Sequence, residues 1–420
     1  MKRYKAYKDS GVKWIGEIPS HWKTTKLKHI IVKLYREKQP NSELLVCSNK
    51  GEVIKKGDSK IGLVADNDDI YQGVCKGDLL IHGMDTWHGA IAISNFDGMC
   101  TPVVHVCDSR QNKTYIALYL QFMAISKVFK LISNGVRQNT SDFRSWDKVG
   151  AIPIMVPPLH EQQAIVDYLK DKTLKIEQYV SARERERELL DSLKHSEIAN
   201  VVIKGLNPNV KMKDSGIPWI GEIPEHWEVK RWGNAFKENK NINSNLENTI
   251  AFQFNYGSLI KKKREYKEEE DAETYAKYTI IKPKDIVING LNLNYDFVSQ
   301  RVAISEEDGI ITSAYISMHP RDNVNAQYFC YLFKTMDAMK LFHGMGTGIR
   351  LTLSFAELKK QYIPIPPLSE QQAIVAYIDS KLQKIDQYMT DLQREIDYLK
   401  EFKQRLISDA VTGQLCVTKQ

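Results

Sequence analysis

Three titratable side chains crowd one short stretch: His82, Asp85 and His88 in HGMDTWHG. Two imidazoles and a carboxylate at such spacing could hold a divalent ion. The cysteines (Cys47, Cys75, Cys100, Cys107, Cys330 and Cys416) offer thiolate chemistry, but none stands in a CxxC pair, and the Cys100–Cys107 spacing suits neither a zinc ribbon nor a redox motif. Free thiols in a reducing compartment are the expectation. Signatures of catalysis are missing from the sequence: no GxxxxGK[ST] phosphate loop, no HExxH and no glycine-rich methyl-donor loop after a strand. The Pro-Pro pairs stand in VPPL and IPPL, between aliphatic residues, not in the polar-Pro-Pro-aromatic setting that grips a flipped base.

A second set of residues suits recognition. The polar loop NGVRQNTSDFR carries Arg137, Gln138, Asn139, Thr140 and Arg144, and GMGTGIRLTL carries Thr347, Arg350 and Thr352. Arg, Asn, Gln and Thr offer the donors and acceptors that read base edges, and glycine lets main chain approach a phosphate. Weaker candidates stand in two glycine turns: His82, Trp87 and His88 in one, Asn292, Asn294 and Tyr295 in the other. The run Lys261–Arg264 is followed by Glu268, Glu269 and Glu270, which reads as a solvated charged hairpin or helix.

These residues sit inside a duplication, the strongest signal in the chain. Residues 8–22 (KDSGVKWIGEIPSHW) match residues 213–227 (KDSGIPWIGEIPEHW) at 12 of 15 positions, and PPLHEQQAIVDY (157–168) matches PPLSEQQAIVAY (366–377). Between these blocks the match fades: GDLLIHG faces KDIVING, and NGVRQNT faces TGIRLTL. Arg137 and Arg350 therefore occupy matching positions and suit shared phosphate contacts better than specific base reading; a salt bridge to the adjoining helix is the rival role. The stretch facing HGMDTWHG is NGLNLNYD, which keeps neither histidine, so a satisfied polar loop fits better than a metal site. Scaffold ends kept alike around diverged middles describe one framework carrying two different surfaces.

The framework is mixed α/β (α+β). VCKGDLLIHGM, AIAISNF, DIVING and FVSQRVAIS read as short strands around turns, and 112–132 and 325–343 read as helices by apolar spacing. Each half ends in a long helix after a Pro-rich run, with Ser369 a natural N-cap for the second. In that helix Ile378, Leu382, Ile385, Met389, Leu392, Ile396 and Leu399 make a heptad seam. The first helix has a less regular seam through Leu169, Ile176, Val180, Leu190 and Leu193. Two such helices related by a two-fold must pack antiparallel; a coiled coil joining two chains is the rival. Gly205 and Gly413 stand at the C-terminal stops. The expected organisation is a recognition domain over 1–155, a spacer helix over 156–205, a second recognition domain over 206–364, a second spacer helix over 365–413 and a tail over 414–420.

Charge is uneven. Residues 1–158 hold 23 Lys/Arg against 15 Asp/Glu, whereas 206–365 hold 21 against 20, so a polyanion partner fits the first half best. No apolar run reaches the roughly 18 residues of a membrane helix. The opening MKRYKAYKDS has no apolar stretch behind it, so a cytoplasmic protein without membrane contact is expected.

Two units opening on WIGEIPxHW and closing on PPLxEQQAIVxY plus a long helix resemble the specificity subunit of type I restriction-modification enzymes. The resemblance covers essentially the whole chain. It implies two target recognition domains that each read half of a split, asymmetric double-stranded DNA sequence. It further implies an antiparallel coiled coil that fixes the gap, and no catalysis in this chain. It implies as partners two modification (methyltransferase) subunits that bind S-adenosylmethionine, and restriction/translocase subunits that use ATP and Mg. A fused methyltransferase or nuclease would require motifs missing from the sequence. A coiled-coil scaffold without DNA binding would not call for polar, divergent loops.

Overall fold

The computed structural model of the chain describes residues 3–57, 70–133, 143–264, 266–348 and 351–418. The chain divides into two compact units, residues 1–184 with 393–420 and residues 185–392. Each unit therefore owns one globular domain, the start of the helix that follows it and the end of the other long helix.

Both globular domains are built on the same antiparallel sheet. In the first unit the order is Ile31–Lys33, Val104–Ser109, Leu79–His82, Ile91–Ile93. In the second it is Phe236–Glu238, Ile316–Pro320, Ile286–Ile288, Val302–Ile304. The third strand of each is buried on both faces, and alternation splits its side chains between two cores. Leu79 and Ile81 join the core that holds the helix Lys113–Ile125, while Leu80 packs with Cys47, Val53, Ala92 and Val106 on the other face. Ile286 and Ile288 face the helix Ala326–Ala338, and Val287 faces Phe252, Ile281 and Ile311. This explains why LLI and IVI read as unbroken apolar runs.

The conserved-looking ends of the repeat pair with each other in space. Strand Lys23–Lys26 pairs with Pro153–Val156, and Glu228–Arg231 with Tyr362–Ile365, so the start and finish of each domain are zipped together. Glu161 then accepts hydrogen bonds from Trp22 Nε1 (3.0 Å), His21 Nε2 (2.6 Å) and Tyr4 Oη (3.1 Å). Glu370 accepts from Trp227 Nε1 (2.9 Å) and His226 Nε2 (2.5 Å). The neighbouring glutamine does a second job. The side-chain oxygen of Gln162 accepts from Asn112 N (3.0 Å), and that of Gln371 from Asn325 N (2.7 Å); Asn112 and Asn325 cap the two domain helices. The HW and EQQ motifs are thus one clamp in two copies.

The long helices span Leu159–Lys204 and Leu368–Val411. Within the first unit Glu177 pairs with Lys403 and Glu184 with Lys400; within the second Lys194 pairs with Asp386, and Tyr377 donates to Glu197. Rising numbers on one helix meet falling numbers on the other, so the helices form an antiparallel coiled coil. The seam residues from Ile378 to Leu399 are buried or half-buried. Leu193 departs from the expected seam of the first helix: it is 55% exposed, and half-buried Lys194 beside it faces Asp386 instead. Each helix also finishes inside a core. Leu406, Ile407, Ala410 and Val411 complete the first unit, and Val201, Val202 and Ile203 complete the second. Gly205 and Gly413 end the helices at φ +74° and +76°, and a Cβ on Gly413 would lie 2.3 Å from Pro19.

Two local expectations need correction. The apolar runs 112–132 and 325–343 are each broken: the helices stop at Ile125 and Ala338, and Lys127 and Lys340 take left-handed φ of 57° and 60° before a short second turn. A lysine in place of the usual glycine hides this stop from the sequence. Ser369 lies inside the first turn, because the helix already starts at Leu368 and the Pro367 carbonyl accepts from Gln371 N.

Candidate nucleic-acid interface

In each unit a main-chain hydrogen bond ties the glycine turn to the end of the polar loop. Phe143 N donates to Gly83 O at 3.1 Å, and Leu353 N donates to Gly290 O at 2.9 Å. Both junctions leave no room for a side chain: a Cβ on Gly83 would stand 2.9 Å from Phe143 O, and one on Gly290 would stand 2.4 Å from Leu353 O. Arg144 follows Phe143 and is exposed, so it shares a surface with the His82 turn. Leu293 N also donates to Leu351 O (3.2 Å), which joins the Asn292–Tyr295 turn to the second polar loop. Thr347 and Thr352, both exposed, exchange paired main-chain hydrogen bonds of 3.0 and 2.9 Å. Arg137, Gln138, Asn139, Thr140 and Arg350 lie outside the described residues.

The first turn is a polar knot. His82 Nδ1 accepts from Asp85 N at 3.0 Å, which leaves the proton on Nε2, and burial holds the imidazole below its usual pKa against the pull of Asp85. His88 Nδ1 lies 3.8 Å from the same carboxylate. No group of three His, Cys, Asp or Glu placed to hold a metal occurs among the described residues. Trp87 is half-buried against the core with Lys130 Nζ 5.6 Å from its ring, so only part of it faces outward. The thiols of Cys47, Cys100 and Cys107 are pushed up to about 12 by burial and stay protonated. The basic run of the second unit is matched by acids: Lys261 pairs with Glu307, and Arg264 with Glu270.

The second turn is open. Asn292 is exposed at a left-handed φ of 54°, Asn294 is half-buried and Tyr295 is 78% exposed. Two residues that sequence reasoning passed over support these surfaces. Buried His105 Nε2 donates to Phe143 O at 2.7 Å and fixes the junction beneath Arg144. Buried Arg301 donates to carbonyls of the 289–296 loop. Its signal, a charge opening the apolar strand RVAI, is visible in the sequence; His105, inside VHVC, gives none.

A protein that holds two diverged polar surfaces on two copies of one scaffold, with the ends of each copy clamped to a long helix, belongs to the class of modular recognition proteins. The type I restriction modification DNA specificity domain matches twice, over residues 19–182 and 224–397. The chain belongs to that family and is a DNA specificity subunit. It is 23% identical over 431 aligned residues to the putative type I restriction enzyme MjaX specificity subunit of Methanocaldococcus jannaschii, covering 96% of each chain. It is also 23% identical to the MjaVIII specificity subunit of that organism, over 63% of each chain. Among solved structures, a chain from work on complex assembly and conformational transition of the type I R-M system matches with TM-score 0.70 and 15% identity, over 95% of this chain and 99% of that one. The HsdS subunit of Thermoanaerobacter tengcongensis matches with TM-score 0.54 and 16% identity, over 95% and 98%. These likenesses show that the fold is shared. No helix among the described residues is long and apolar enough to cross a membrane.

Proposed function

We propose that each unit reads one half of a split, asymmetric double-stranded DNA target, and that the paired long helices set the gap between the halves. The observation that carries this reading is the twinned junction: the same hydrogen bond, Phe143 to Gly83 and Leu353 to Gly290, holds two loop pairs whose side chains differ. One scaffold with two readers gives a two-part target without symmetry in its bases. Arg144 with His82 and Trp87 in the first unit, and Asn292, Asn294, Tyr295, Thr347 and Thr352 in the second, are the candidate contacts; Arg137, Gln138, Asn139, Thr140 and Arg350 are added from the sequence. Arg137 and Arg350 suit phosphate.

The chain itself performs no chemistry in this reading. Two modification subunits dock on it and bring S-adenosylmethionine to an adenine in each half, and restriction/translocase subunits add ATP- and Mg-dependent cleavage. The assembly works in the cytoplasm. The near-neutral second unit suggests that the modification subunits supply part of the phosphate neutralisation, so free DNA binds the isolated chain weakly. Exchange of residues 23–150 for those of another family member tests the division of labour. Methylation mapping should then show one half of the recognition sequence replaced and the other half and the gap retained. A change in both halves contradicts it.

A further inference from the structure

Arg301 opens the strand Val302–Ile304, and its carbonyl accepts from Asn289 N at 2.8 Å. The place it holds belongs in the first unit to Ala90, whose carbonyl accepts from His82 N at 3.0 Å. The loops closed by these two bonds differ. Seven residues of advance separate Gly83 from Ala90, and eleven separate Gly290 from Arg301. A longer loop has more main-chain carbonyls to satisfy and no ladder to satisfy them.

The Arg301 side chain, 1% exposed, supplies what the loop lacks. Nη1 donates to Asn289 O (3.1 Å) and Leu291 O (2.7 Å), and Nη2 donates to Asp296 O (2.7 Å) and Asn292 O (3.5 Å). The Asp296 carboxylate lies 3.5 Å from Nη2 and balances the buried charge. The main-chain N–H of Arg301 donates to the buried Asp337 at 2.6 Å, which anchors the residue to the helix Ala326–Ala338. From the other side His343 Nε2 donates to Asp296 O at 3.1 Å, and its ring stacks on Phe297 at 4.6 Å. The loop so held presents Asn292 and Tyr295 to solvent.

We infer that Arg301 is a positioning residue for sequence specificity, fixing the 289–296 loop so that the second unit reads its half-site. The inference rests on the reading proposed above. Base discrimination by hydrogen bonds demands side chains held to within about 0.5 Å, which a loop can provide only when its main chain is fixed from behind. A planar guanidinium reaches four carbonyls at once; an ammonium on a flexible stem does not. The strand ladder between Ile286–Ile288 and Val302–Ile304 uses main-chain groups, so the side chain serves the loop and not the sheet.

The test uses the full chain assembled with its methyltransferase subunits, as wild type, Arg301→Lys and Arg301→Met. Methylation rates are measured on duplexes carrying the cognate target or single mismatches in either half, alongside hydrogen exchange by mass spectrometry. The expected result is a tenfold or greater loss of discrimination in the second half-site, with the first unchanged within twofold and faster exchange confined to residues 289–300. Wild-type discrimination retained by both variants would overturn the inference, as would equal relaxation of both half-sites. Loss of protection in Val302–Ile304 together with the loop would also overturn it, because Arg301 would then be a core residue. His343→Ala, which frees the same loop without disturbing the buried guanidinium, should relax the same half-site; strict reading by that variant counts against the inference. A wild-type complex that methylates no two-part sequence would instead bring down the underlying reading.

Discussion

At the scale of single residues, the two glutamates of the EQQ motifs are equivalent in role and unequal in burial. The Glu161 side chain is 8% exposed and takes three donors, while that of Glu370 is 38% exposed and takes two. Removing a buried acceptor strands its donors, at about 1–3 kcal/mol. Glu161→Ala should therefore destabilise the first unit by more than Glu370→Ala destabilises the second, as measured by hydrogen exchange in each unit. Equal losses would contradict the clamp geometry. His105 makes a second case. Burial holds its imidazole below the ordinary value of 6.5. The unfolded chain thus takes up a proton first as the pH falls, and the stability present above 6.5 is lost as the pH drops toward the folded-state pKa. His105→Gln, which keeps an N–H for Phe143 O, should flatten the acid limb of the first unit's stability below about pH 6.5. Part of the slope should remain, since burial also lowers His82.

At the scale of elements, each long helix begins by leaving one domain and ends by completing the core of the other unit. Leu406, Ile407, Ala410, Val411 and Leu415 are buried among residues from the first 180 positions. Deleting residues 393–420 should therefore unfold the N-terminal domain and leave the adjoining second domain protected, a result that amide exchange can read directly. Loss of protection confined to the second domain would contradict the assignment. Much of this level was legible beforehand. The repeat fixed the number of domains, the heptads marked the seam, and the two glycines marked both helix stops. The partner of each helix end was not legible, because Val201–Ile203 and Leu406–Val411 look alike as apolar turns and their destinations depend on contacts far along the chain. The left-handed lysines at 127 and 340 were invisible for a related reason: their conformation is set by the turn that follows, not by residue type.

At the scale of the whole molecule, twinned scaffolds explain why two blocks of sequence match almost perfectly while the stretches between them do not. The matching blocks clamp strand to helix and hold the residues that cap the domain helices. The diverged stretches carry the loops, and their supports diverge with them: His105 braces one, Arg301 the other. The loops were legible as polar stretches, and the Gly83 and Gly290 junctions tie each glycine turn to Phe143 and Leu353 at the ends of those stretches. Of the buried supports, Arg301 showed as a charge opening an apolar strand but its partners did not, and His105 gave no signal, because the partners of a buried polar side chain are fixed only by folding. The central claim is that two units read one interrupted target. Its most direct test is base-resolved mapping of adenine methylation in DNA from cells that co-produce this chain with a type I methyltransferase subunit of its host. The account predicts a single asymmetric motif in two parts with a fixed gap, absent when either protein is omitted. Methylation by this chain alone, or a continuous motif with the methyltransferase present and active, would contradict it.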